Sequence, residues 1–249
     1  MIVSIPITGP YHLLRRNNIK AFEMKIDQVL LHFRDKELVG TVSITGSYEE
    51  LHEKALKLVD RSVTTLCYLV KHKFETVKNA CYIKEKPNAS IERVSKSLTI
   101  LYNIGGKQES AITPSKISSV EAKKKKALEK ALGYYRVAIE SQNPFKAIDT
   151  YFSAISAIVR ENTQENNLHQ SHLEQQLKYV IVYKRKKISE NSFKQKFDRF
   201  YAKRRSASSH GHIDITDLKK AREAKVDAEE LRKWTDELID EYINKNQSS

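Results

Sequence analysis

The spacing of apolar residues changes partway along this 249-residue chain, and that change restricts the possible folds more than any other feature. Up to about residue 104, strand-like alternation is mixed with one long helical stripe. Beyond about residue 120 every periodic segment is helical. Side chains alternate between the two faces of a strand, whereas on a helix one face recurs every three or four positions. A chain written in the first pattern and then the second predicts an α+β N-terminal domain followed by an all-α C-terminal helical bundle.

In the first part, Ile2–Ile7 reads as a short strand that Pro6 pushes toward a sheet edge, because proline cannot donate to a ladder. Phe22–Phe33 opens with clear alternation and Glu37–Ile44 follows, with Arg34-Asp35-Lys36 as the hairpin turn between them. Ser47 and Glu50 have capping-box spacing. Behind them Leu51, Ala55, Val59, Ser62, Leu66 and Val70 fall on one helical face. Val77–Ile83 and Ser97–Ile104 read as two further strands, which completes an α+β domain over 1–104. The segment 105–119, rich in Gly, Ser and polar residues, reads as a linker.

The bundle over 120–249 is expected to hold about five helices. Val120–Ser141 carries Ala131, Leu132, Tyr135 and Ile139 at helical spacing. Asn143-Pro144 is a cap followed by proline at the first helical position, ahead of a Phe145, Ile148, Phe152, Ile155, Val159 stripe. Leu168–Lys184, Ser192–Arg205 and Asp227–Ile243 supply the remaining three. Phe193, Phe197, Phe200 and Tyr201 share helical spacing and belong to the core rather than to a base-stacking platform.

The net charge of +13 points to a polyanionic partner, most simply RNA. The excess is concentrated: Lys184, Arg185, Lys186, Lys187, Lys194, Lys196, Arg199 and Lys203 fall in one short stretch, opposed only by Glu190 and Asp198. Cations at that density can hold phosphates without reading sequence. Two cysteines, Cys67 and Cys81, exclude a disulfide framework and a cysteine-based zinc site. The start Met1–Ile7 lacks the basic region and long apolar core of a signal peptide, and no run approaches a membrane span, so a cytoplasmic location is expected. His169 and His172 lack a third well-spaced ligand, so no metal is assigned to them. Gly105-Gly106 is not followed by a phosphate-cradling helix, and no cofactor is expected. The Lys123–Lys126 run reads as a solvated helix start, with nonspecific attraction for RNA as its minor role.

One stretch carries chemistry. Phe200–His212 places Arg205 five positions before His210, with Gly211 next. Arginine holds a phosphate bidentately at any working pH, and histidine moves a proton near pH 7. On a continuing helix the two positions would lie about 140° apart. They converge where the helix ends over Ser206–Ser209.

An Arg-x4-His-Gly motif closing the penultimate long helix of such a bundle, before a polar loop and a final amphipathic helix, resembles the HEPN superfamily (higher eukaryotes and prokaryotes nucleotide-binding domains). The Asn143–Ile158 helix, aromatic and then small-apolar, is similar to the one that opens the family's core. The likeness spans roughly residues 125–245. It implies a metal-independent endoribonuclease, a toxin or defence effector, whose site forms across a homodimer. His210 would act on the attacking 2′-hydroxyl or the leaving oxygen, and Arg205 would steady the transition-state charge. Arg204, Ser206 and His212 are the assisting candidates, since Arg204–His210 and Arg205–His212 are alternative registers. Ser206 stands where active members most often have Asn, Asp or His. The same likeness admits a non-catalytic RNA-binding, dimerisation or scaffold module, and a regulatory protein or antitoxin as partner. An acidic protein is a third kind of partner for a basic face.

Overall fold

The computed structural model describes residues 1–9, 21–34, 37–78, 81–84, 100–104, 107–112, 126–165, 167–209 and 218–245. Two compact units divide the chain, Met1–Ala122 and Lys123–Ser249.

The first unit is an antiparallel sheet with one helix. Its strands are β1 (Ile2–Thr8), β2 (Ala21–Ile26), β3 (Val29–Arg34), β4 (Glu37–Ser43), β5 (Glu75–Thr76) and β6 (Tyr82–Lys84), in the order β2-β3-β4-β1-β5, with β6 also paired to β1. The helix α1 (Tyr48–Val70) lies between β4 and β5 in the chain. Alternate residues of β1 and β4 are buried, among them Val3, Ile5, Ile7, Leu38 and Val42. They meet the stripe of Leu51, Ala55, Val59, Val63 and Leu66 on α1. Period two against period 3.6 is what builds this core. Gly40 sits on the buried face of β4, where a Cβ would stand 2.6 Å from Val59 Cγ1, so glycine lets α1 seat on the sheet.

Several expectations for this unit are corrected. The stretch Phe22–Phe33 is two strands, because the chain reverses at Asp27, whose φ of 54° is left-handed, and Ile26 pairs Val29. Aspartate tolerates that conformation, so the turn forms without the Asn-Gly or Asp-Gly signature. β1 is interior, flanked by β4 and by β5 with β6. β6 covers Ile2–Ser4 and β5 covers Ile7–Thr8, so Pro6 falls in the gap between these two ladders and its missing N–H breaks neither. Ser47 precedes α1 without a side-chain cap bond, and Glu50 instead holds Lys54 at 2.5 Å. Of the strand expected at Val77–Ile83, Tyr82 and Ile83 belong to β6, β5 lies just before it at Glu75–Thr76, and residues 79–80 are outside the described residues. β7 (Ile100–Ile104) pairs with β8 (Lys107–Ile112), which lies inside the stretch expected to be a linker. The rest of that stretch, at 105–106 and 113–119, is outside the described residues, as are Asp35 and Lys36.

The second unit contains five α-helices among the described residues: α2 (Lys126–Glu140), α3 (Pro144–Thr163), α4 (Gln170–Lys178), α5 (Glu190–Ser209) and α6 (Leu218–Lys245). Among the described residues of the whole chain no helix is long and apolar enough to cross a membrane. α3 is central and packs against α2, α4, α5 and α6. The side chain of Asn143 accepts hydrogen bonds from Phe145 N at 3.0 Å and Lys146 N at 3.4 Å, with Pro144 in the first turn, as the local sequence predicts. Phe193, Phe197 and Phe200 are fully buried. Phe193 stacks on Trp234 at 4.9 Å, Phe200 meets the same ring edge-on at 5.1 Å, and Phe152 meets Phe197 edge-on at 6.0 Å. These rings join α3, α5 and α6.

The helix expected over Leu168–Lys184 begins at Gln170 and gives way to a π-helical turn at Tyr179–Lys184, where Arg185 N–H reaches back to Val180 O at 2.9 Å. His169 caps α4, and its N–H donates to His172 Nδ1 at 3.3 Å, so the two histidines serve the helix start. Glu174 pairs instead with Lys194, at 2.9 Å.

Candidate nucleic-acid site in the helical unit

The basic stretch between α4 and the end of α5 is tied to acids. Lys184 reaches the buried carboxylate of Glu241 at 2.5 Å, and Arg185 and Lys187 reach Glu237 at 3.0 and 3.6 Å. Lys194 lies between Glu174 and Asp198, at 2.9 and 3.1 Å. Lys196 pairs with Glu230, while Arg199, at 2.7 Å, and Lys203 share the buried carboxylate of Asp227. Lys178 holds Glu190 at 2.5 Å, and the Tyr183 hydroxyl donates to the same carboxylate at 2.8 Å. Both contacts draw the Glu190 carboxyl below its ordinary range, with the Lys178 hydrogen bond the larger cause. Lys186, exposed and left-handed at φ 49°, has no such partner among the described residues. Six of the eight cations, Lys184, Arg185, Lys187, Lys196, Arg199 and Lys203, are therefore held by acids of α6, so the run joins helices as well as presenting charge.

The Arg-His motif lies at the end of α5. Arg205 and Ser206 belong to the last described turns of that helix, whose described residues run to Ser209. His210, Gly211 and His212 lie outside the described residues. Arg204 is half-buried. Its Nε donates to Asp149 Oδ1 at 3.3 Å, and its guanidinium stands 5.2 Å from the Phe152 ring and 5.7 Å from the Tyr201 ring. Stacking on aromatic faces holds the guanidinium in one orientation while leaving N–H donors available.

Beside Arg204 opens a furrow of about 670 Å³. α2 and α5 each pack against α3, and the furrow runs along α3, lined also by α2, by Asn167, Leu168 and Leu173 around the start of α4, and by Arg204 of α5. Small side chains of α3, Ser153, Ser156 and Ala157, leave the space, and Arg160 continues the same stripe. Lys126, Lys130 and Tyr134 follow at four-residue steps along one face of α2. Lys126, Lys130 and Arg160 pair with no carboxylate among the described residues, unlike the run above. Glu161 is the acid in the lining, and Tyr134 is 43% exposed. The arrangement is a cationic groove with an accessible ring, suited to a phosphate-bearing ligand.

Sequence spacing alone did not reveal this groove. Lys126, Lys130 and Tyr134 are legible as one helical face, but their convergence with Arg160 and Arg204 depends on the packing of α2 and α5 on α3. Among the described residues no three His, Cys, Asp or Glu side chains gather as a metal site would require. No protein-family model, curated protein or solved structure matches the chain.

Proposed function

We propose that the helical unit is a metal-independent endoribonuclease of the HEPN type, acting at the end of α5. One observation carries this reading: Arg205 lies in the last described turns of α5, and the residue preceding it stands in a cationic furrow. RNA carries its own nucleophile. His210 takes the proton of the 2′-hydroxyl or supplies one to the departing 5′ oxygen, and Arg205 compensates the charge that builds on the phosphorane. The 2′ oxygen bonds to phosphorus, the P–O5′ bond breaks and its oxygen leaves protonated. The products are a 2′,3′-cyclic phosphate and a 5′-hydroxyl, and no water is consumed. Ser206 supplies a further hydrogen bond, and Arg204 and His212 are the assisting pair in the alternative registers. Two copies complete the site by a two-fold contact. A regulatory protein or antitoxin restrains such an enzyme, a toxin or defence effector of the cytoplasm, and the N-terminal unit is a candidate sensor.

The ion pairing of the basic run favours a second reading, a non-catalytic RNA-binding or scaffold module. Incubating RNA with the purified full chain in EDTA separates the two. Cleavage that survives chelation and is lost in Arg205→Ala and His210→Ala supports the enzyme. Salt-sensitive binding of intact RNA that His210→Ala leaves unchanged supports the module and defeats the enzyme.

A further inference from the structure

We infer that the furrow along α3 is an RNA-seating site, in which Lys126, Lys130 and Arg160 hold phosphates, Tyr134 stacks one base, and Ser153 and Ser156 accept from the ribose. The inference rests on RNA being the partner, as proposed above. It assigns to the furrow the role that the Lys184–Lys203 run was expected to play.

The first ground is which cations are available. Phosphate binding needs charges that are not already neutralised. In the run, Asp227, Glu230, Glu237 and Glu241 of α6 take up six cations. In the furrow, Lys126, Lys130 and Arg160 are without carboxylate partners among the described residues, and Arg204 is held to Asp149 by its Nε. Of the cations of the run and the furrow, Lys126, Lys130, Arg160 and Lys186 are without a carboxylate partner among the described residues, and three of these four line the furrow.

The second ground is shape. From Lys126 to Tyr134 the wall of α2 extends about 12 Å, at 1.5 Å per residue. A furrow of about 670 Å³ is of the size that takes one drug-sized molecule, so it admits a short unpaired stretch rather than a duplex. Unpaired bases offer their faces, and an exposed tyrosine is a platform for one. Tyr134 keeps 43% of its surface exposed although it lies on a helix whose next residue, Tyr135, is fully buried.

The third ground is the direction of the hydroxyl protons. Ser153 Oγ donates to Asp149 O at 3.1 Å, and Ser156 Oγ donates to Phe152 O at 2.7 Å. Each hydroxyl proton is thus engaged by its own helix, which leaves the oxygens as acceptors in the furrow. An acceptor repels a phosphate and receives a 2′-hydroxyl. The furrow is therefore built for ribose, with phosphates held at its cationic borders.

Binding is measured by fluorescence anisotropy on the full chain carrying His210→Ala, with a labelled single-stranded RNA decamer, its DNA counterpart and an RNA duplex. The triple variant Lys126→Ala/Lys130→Ala/Arg160→Ala should bind the RNA decamer at least tenfold more weakly at moderate salt. Its slope of log affinity against log salt should fall by about 2, from three lost contacts at about 0.7 each for a single strand. Tyr134→Ala should weaken binding about tenfold. DNA and duplex should bind more weakly than the single-stranded RNA. A triple variant with the parent's affinity and slope, a Tyr134→Ala effect below twofold, or equal affinity for RNA and DNA overturns the inference. These exposed positions are unlike core sites, and unchanged thermal unfolding shows that the fold is intact. If the furrow variants lose binding while the native chain leaves RNA uncut, the seating site stands and the nuclease falls. If the native chain and the furrow variants bind and cut RNA alike, the nuclease stands and the seating site falls.

Discussion

Replacing Asp227 with asparagine removes one charge from the junction of α5 and α6 while keeping the side-chain shape. The carboxylate is 4% exposed and holds Arg199 at 2.7 Å together with Lys203. Breaking a buried ion pair from one side costs about 3–5 kcal/mol, because the surviving charge is left without a partner. Here the two survivors differ. Arg199 is 49% exposed and rehydrates, whereas Lys203 is 18% exposed and does so poorly. Exposed pairs are worth about 0–1 kcal/mol, so the loss should come mainly from Lys203 and amount to about 2 kcal/mol. At about 3 °C per kcal/mol for a protein of this length, the midpoint of thermal unfolding should fall by about 6 °C. Circular dichroism at 222 nm follows the loss of helix, and urea unfolding gives the free energy independently. The freed cations should at the same time raise nonspecific RNA affinity, since α6 no longer neutralises them. A variant within about 0.5 kcal/mol of the parent, with unchanged RNA affinity, would refute the view that this junction consumes the charge of the basic run.

Other expectations follow from the packing. Gly40→Ala should destabilise the N-terminal unit by about 1–3 kcal/mol, because the new methyl would stand 2.6 Å from Val59 Cγ1, and the effect is read by urea unfolding. Asn143→Ala should cost about 1 kcal/mol through loss of the bonds to Phe145 N and Lys146 N, with Asn143→Asp close to neutral. Burial raises the phenols of Tyr135 and Tyr151 well above their ordinary range. Their contribution to stability is therefore complete below the unfolded tyrosine pKa of about 10 and is lost progressively as pH rises above it. In an alkaline absorbance titration these two should ionise only with unfolding, and Tyr151→Phe should make stability less sensitive to pH above about 10.

The helices were legible where the sequence carries both a period and a cap. Asn143-Pro144 and the stripe from Phe145 to Val159 mark α3 unambiguously, because each local signal agrees with the packing. The turn at Asp27 was not legible, since aspartate replaces glycine at a left-handed position and the flanking apolar residues run on without interruption. β8 was hidden by polar composition: Lys107–Ile112 holds four polar or charged residues, and its pairing with β7 is a property of register rather than of residue type. The candidate site divides in the same way. Composition made the density of charge from Lys184 to Lys203 plain, but which acids lie opposite is decided by how α5 and the π-helical turn meet α6. The furrow assembles Lys126, Lys130 and Tyr134 with Arg160 and Arg204, residues up to 78 positions apart in the chain. No local pattern connects them.

The most direct test of the central claim is the chemistry of the RNA ends after incubation with the full chain in EDTA. Fragments should carry 5′-hydroxyl ends that polynucleotide kinase labels without prior phosphatase, and 2′,3′-cyclic phosphates at the other ends. Arg205→Ala and His210→Ala should abolish both. RNA that stays intact, or fragments carrying 5′-phosphate ends, would contradict it.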